Sequence, residues 1–104
     1  MSQKTILFGA SKLGTLAYEY FKDSYDICYY CDNDIRKTGT SFNGIEIISV
    51  NRMVQLVKEG DYYIIISSHY YKEIGEQLII KGIDKKQFKV FYNSLKIGAY
   101  QCKS

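Results

Sequence analysis

Gly9, Ser11 and Gly14 follow an apolar run, Thr5-Ile6-Leu7-Phe8, and open a segment with helical periodicity. Such a succession of strand, glycine-bracketed turn and helix leaves backbone N–H groups unpaired at the positive end of a helix, where a phosphate accepts them. The spacing nearly matches G-x-G-x-x-G, with Gly9 and Gly14 in the first and third places and Ser11 in the second. The middle glycine normally lets a pyrophosphate lie against bare backbone. A hydroxymethyl group at Ser11 narrows that approach while offering a hydroxyl that donates to phosphate or caps the helix. The expected binding turn is Gly9, Ala10, Ser11, Lys12, Leu13 and Gly14. The competing reading of the same residues is a tight turn that only packs a helix on a sheet.

A second strand, Tyr25 to Cys31, ends at Asp32, roughly twenty residues past the turn, the place from which an acid accepts hydrogen bonds from a ribose diol or related sugar hydroxyls. Asp32, Asn33 and Asp34 also read as a solvated turn bonding its own backbone, and Asp34 is assigned only to turning the chain. Ser67, Ser68 and His69 follow the continuous apolar run Tyr62 to Ile66, where a strand covered on both faces would meet its helix beside the first strand. Either serine caps that helix, and a serine at this edge also meets a ligand. His69 lacks an acid or nucleophile partner in the sequence, so no catalytic residue is expected. Asp32, Asp34 and His69 lack a spacing that converges on one ion, so no metal is expected.

Cys28 and Cys31 imitate a redox or zinc pair. Three residues apart on a strand they point to opposite faces, and the total of three cysteines does not suggest a disulfide framework. Buried free thiols are the reading. Tyr18 with Lys22 and Tyr92 with Lys96 have the Tyr-x-x-x-Lys spacing of short-chain dehydrogenases, but the first pair begins on the crossover helix and the second at the end of the last strand. With eleven tyrosines in the chain such pairs arise by chance, and most of these rings read as core and rim.

The elements that must carry these residues follow from periodicity. Leu13, Leu16, Ala17, Tyr20 and Phe21 form one face of a crossover helix over Leu13 to Lys22. Ile35 to Asn43 is polar. Gly44 to Ile48 gives a short strand, Ser49 caps a helix with the stripe Val50, Met53, Val54 and Val57, and a further helix runs from about His69 to Lys81. Ile74, Leu78 and Ile79 face inward on it, Gly82 stops it, and Lys89 to Tyr92 supplies a fifth strand. The fold class is α/β, a Rossmann-like doubly wound parallel sheet of about five strands in order 3-2-1-4-5 with helices on both faces. Residues 1–92 are the expected domain and 93–104 a short polar tail.

At 104 residues the chain makes one core but is short for an enzyme holding a dinucleotide and a second substrate. Lys and Arg number 14 against 11 Asp and Glu, interspersed without a basic block, from which no nucleic-acid partner is expected. The apolar runs are far below membrane-spanning length and no secretory h-region opens the chain, so a cytoplasmic setting without membrane insertion is expected.

Ile6-Leu7-Phe8-Gly9-Ala10-Ser11, Gly14, Cys31-Asp32-Asn33-Asp34, Phe42-Asn43-Gly44-Ile45, Ile64-Ile65-Ile66-Ser67 and Lys81-Gly82-Ile83-Asp84 together resemble the Rossmann-like domain of bacterial surface-polysaccharide proteins. That group is similar to the N-terminal nucleotide-sugar-binding domain of sialic-acid and bacillosamine-type sugar O- and N-acyltransferases and to that of membrane-associated sugar-nucleotide dehydratases. The resemblance implies that Gly9 to Gly14, Asp32 and Asn33 hold the nucleotide of a UDP-sugar, with the Ser67 and Ser68 loop closing over it. Acetyl transfer in that family is done by a following β-helix of hexapeptide repeats, which this chain lacks.

The leading expectation is therefore a nucleotide or nucleotide-sugar binding domain for polysaccharide biosynthesis, without catalysis of its own, partnered by a second copy or a larger transferase. An alternative is the NAD(P)-binding half of an oxidoreductase or redox sensor, in which Asp32 favours an unphosphorylated ribose. A further alternative is an interaction module whose pocket is vacant, since fold alone never fixes function. UDP-sugar and NAD are the expected ligands.

Overall fold

A computed structural model describes residues 2–91. Six strands and three helices run in the order β1 (Gln3–Phe8), α1 (Lys12–Phe21), β2 (Tyr25–Cys31), β3 (Ser41–Phe42), β4 (Ile45–Ile48), α2 (Val50–Lys58), β5 (Tyr62–Ile66), α3 (Tyr71–Ile80) and β6 (Phe88–Val90). The sheet order is β3-β4-β2-β1-β5-β6. Every pairing is parallel except the antiparallel β3 and β4. The parallel part is the doubly wound order expected from the sequence; β3 is an additional strand at one edge.

Alternation along the buried strands divides the apolar side chains between two cores. Ile6 and Phe8 of β1 join Ile64 and Ile66 of β5 under α2 and α3, with Met53, Val57, Ile74 and Leu78. Leu7 and Ile65 face the other way and pack with Ala17 and Phe21 of α1 and with Tyr30. Burial on both faces is why β1 and β5 read as unbroken apolar runs rather than alternating ones.

The register gathers the loops. Phe8 pairs with both Cys31 and Ile66, Cys31 with Ile48, and Ile66 with Val90, so the parallel strands end in one row. Gly9, Asp32 and Ser67 are the next residues along three of them. Between β1 and β2 the register shifts once: Thr5 pairs with Ile27 but Ile6 with Tyr29, leaving Cys28 as an extra residue, a β-bulge.

Several expectations need correction. On α1 only Leu13, Ala17 and Phe21 of the expected face are buried, together with Gly14; Leu16 is 40% and Tyr20 71% exposed. The buried stripe is narrower because a single ten-residue helix meets the sheet along one line of residues. Ile79 is likewise turned outward, leaving Ile74 and Leu78 as the inward residues of α3. Helix α3 starts at Tyr71 behind Tyr70, and neither serine caps it through its side chain. The polar stretch before Gly44 contains β3, joined to β4 by Asn43 (φ 54°) and Gly44 (φ 76°), whose two left-handed conformations fit the twist of a hairpin. Tyr92, the Tyr92 and Lys96 pair and the 93–104 tail lie outside the described residues. Among the described residues no helix is long and apolar enough to cross a membrane.

Candidate functional site

The turn after β1 is built by close approach. Gly9 adopts φ +130°, and a Cβ there would overlap the Ser67 carbonyl; a Cβ at Gly14 would overlap the carbonyl of Gly9. Both glycines are thus required for packing. The Gly9 N–H donates to the Cys31 carbonyl at 2.8 Å, and the first helical bond of α1 runs from Thr15 N–H to the Ser11 carbonyl. The helix start therefore presents the N–H groups of Lys12, Leu13 and Gly14, for which a helix supplies no carbonyl. Ser11, exposed and extended (φ −147°, ψ −162°), is the N-cap residue but makes no side-chain cap hydrogen bond. Leu13 turns its side chain into the core and contributes only backbone.

Asp32 is registered against this turn. Its Oδ2 accepts from the Ala10 N–H at 2.9 Å and its Oδ1 from the Asp34 N–H at 2.8 Å. A carboxylate has about four lone-pair sites, so each oxygen keeps capacity for a sugar hydroxyl. Lys37 completes the arrangement: its Nζ donates to the Ala10 carbonyl at 2.7 Å and lies 3.7 Å from Asp32 Oδ2. Asp34 turns the chain as expected. Its carboxylate accepts from the backbone N–H of Arg36 and pairs with the Arg36 guanidinium, which holds the Asp34 carboxyl below its usual range. The resulting short 3-10 turn, Ile35–Lys37, brings Lys37 back over Ala10.

Gly9, Asp32, Asn33 and Ser68 line one crevice of about 340 Å³, together with Phe8, Tyr70, Glu73 and Ile74. That is the small end of the range for small-molecule sites. Larger hollows lie elsewhere, among them two of about 680 and 660 Å³. One, lined by Lys4, Tyr18, Lys22 and Asp26 among others, is at the opposite ends of β1 and β2, and the other runs along the outer side of α3. Neither touches the glycine turn, and ligands of open α/β sheets bind at the carboxyl ends of the strands.

The serines divide. Ser68 Oγ accepts from the Tyr70 N–H at 3.1 Å at the rim. Ser67 is fully buried, and its hydroxyl lies 3.3 Å from the Phe8 carbonyl and 3.1 Å from that of Gly9, to which it donates. Its side chain ties β5 to the turn rather than facing the crevice. His69 is exposed. Cys31 is buried, and burial, reinforced by the neighbouring Asp32 carboxylate, pushes its thiol up to about 12; Cys28 is half-buried and also raised by burial. Both thiols are free, and burial disfavours the nucleophilic thiolate form at each.

Reasoning from the sequence did not find Lys37, Tyr70, Glu73 or Gln77. Gln77, on α3, exchanges two hydrogen bonds with Asn33, of 3.0 and 2.9 Å. Polar residues at turns and on outer helix faces carry no periodic signal, and these come together only through tertiary structure.

The C2185-like, N-terminal family matches residues 1–89. The redox-sensing transcriptional repressor Rex of Desulfitobacterium hafniense is 36% identical over 83 residues, 74% of this chain. The chain spans 40% of the length of that curated relative. Among solved structures, UDP-D-quinovosamine 4-dehydrogenase from Vibrio fischeri superposes with a TM-score of 0.72 at 18% identity, over 94% of this chain and 86% of that one. RSP, a Rex-family repressor solved in complex with NAD+ and operator DNA, superposes with a TM-score of 0.66 at 15% identity, over 98% of this chain and 55% of the other. These likenesses establish the Rossmann-like fold. They also overturn the expectation of no nucleic-acid partner: a domain of this fold occurs in a protein that holds operator DNA, so interspersed charge along this chain is no ground for excluding one.

Proposed function

With the chain a member of the C2185-like, N-terminal family, we propose that it is a dinucleotide-binding domain that takes NAD(H), and that it serves as the redox-reading part of a cytoplasmic assembly acting on DNA. The observation that carries this reading is the hydrogen bond from Ala10 N–H to Asp32 Oδ2. It locks the sugar-binding acid to the phosphate turn, so that the helix-start N–H groups of Lys12, Leu13 and Gly14 meet a pyrophosphate while Asp32 meets the ribose diol of the same ligand. The 36% identity to a redox-sensing repressor supports the redox-reading role, and the NAD+ complex of RSP, a Rex-family repressor, supports NAD(H) as the ligand. The proposed role is sensing, in line with the redox-sensing repressor at 36% identity.

A second reading is a UDP-sugar site serving polysaccharide biosynthesis, as in the sugar acyltransferases that the motifs resemble. It is favoured by the superposition on UDP-D-quinovosamine 4-dehydrogenase, 86% of which is covered. Calorimetric titration with NADH, NAD+ and UDP-glucose separates the two. NADH binding that falls about tenfold or more in Asp32→Ala, the scale of a hydrogen bond to a charged group, supports the dinucleotide. UDP-glucose binding without NADH binding favours the second reading, and no binding of any of them at millimolar concentration defeats both.

A further inference from the structure

Asn33 and Gln77 face each other at the mouth of the crevice, one on the β2 tip and one on α3. Each carboxamide donates to and accepts from the other, at 3.0 and 2.9 Å, across 44 residues of sequence. The pair is exposed, and a neutral hydrogen bond that trades with water adds little to stability. Its effect is orientation: Asn33, which lines the crevice directly after Asp32, is held with one donor and one acceptor side by side.

Resting on the reading that Asp32 holds a ribose, we propose that Asn33 reads the base attached to that ribose, and that Gln77 occupies its hydrogen bonds while the site is empty. A carboxamide is complementary to an edge that sets a donor beside an acceptor, which adenine offers in its N6 amino group and N7. An adenine edge therefore replaces Gln77 without leaving either Asn33 group unpaired. The covalent link between base and ribose brings the base within reach of the residue adjoining the sugar-binding acid. Hypoxanthine presents two acceptors, O6 and N7, along the same edge, and there the Asn33 carbonyl would face an oxygen. The site is thus selective for the adenine half of a dinucleotide.

The test uses NADH and its hypoxanthine analogue, which share every other group, titrated into the purified chain. Wild type is expected to prefer NADH by about tenfold, the scale of one bidentate base contact. Asn33→Ala should bring the two affinities together while still binding NADH. Gln77→Ala should keep the preference, because Gln77 only holds Asn33 in the empty site. Equal affinities in wild type, or a preference that survives in Asn33→Ala, overturn the assignment while leaving the dinucleotide reading intact. Failure of wild type to bind either compound brings down that reading and this one together.

Discussion

Tyr30 shows how one side chain can hold the glycine turn from beneath. It is fully buried, its hydroxyl donates to the Gly14 carbonyl at 2.8 Å and accepts from Asn43 Nδ2 at 3.0 Å, and so it pins the first turn of α1 to the β3–β4 hairpin. Tyr30→Phe should lower stability by about 1–2 kcal/mol, or roughly 5–10 °C in Tm, by thermal unfolding at pH 7. Burial raises the Tyr30 phenol above its ordinary value. A raised group stabilises fully below the unfolded pKa, about 10; above it the unfolded chain releases a proton that the folded one retains, and stability is lost. The gap between wild type and Tyr30→Phe should therefore narrow as pH rises past 10, and a constant gap would argue against burial as the cause. At this scale the sequence was legible where chemistry is local: Gly9, Gly14 and Asp32 are identifiable from type and spacing. Lys37 and Gln77 were not, because each reaches the site from a different loop or helix, and Ser67 resembled a cap because its burial is set by the register of β5 on β1.

At the scale of elements, the turn and α1 form one unit held at van der Waals limit. Alanine normally gains about 1 kcal/mol over glycine within a helix. Gly14→Ala should nevertheless destabilise by at least about 2 kcal/mol, as overpacking does, because its Cβ would meet the backbone carbonyl of Gly9. Urea unfolding measures this directly, and a neutral or stabilising result would mean that α1 stands farther from the turn. The strands of the parallel sheet, and α2 with its Ser49 cap, could be read from apolar runs and punctuation; Ser49 does accept from the Arg52 N–H. The β3–β4 hairpin was obscured by its brevity: two residues, Ser41 and Phe42, are too few for alternation to show. Its signal was the Asn43-Gly44 pair, which demands two left-handed residues and hence a hairpin.

Across the whole molecule, the doubly wound order places the site, since it brings the ends of β1, β2 and β5 together at the point where the chain reverses direction across the sheet. The bulge at Cys28 gives that scaffold an asymmetric tolerance to changes in length. Beyond the bulge Tyr29 and Cys31 pack in one core and Tyr30 in the other, in step with Ile6, Phe8 and Leu7, and Cys28 is supernumerary to that count. The strand thus carries one residue of slack. Deleting Cys28 should leave a regular strand with every later side chain on its present face, a folded protein and unaltered NADH affinity. β5 pairs with β1 without interruption, and deleting Ile65 should swap the faces downstream of it, drag Ser67 off the glycine turn and abolish cooperative unfolding. If such a domain drifts in length over evolution, β2 is the central strand that can absorb a lost codon.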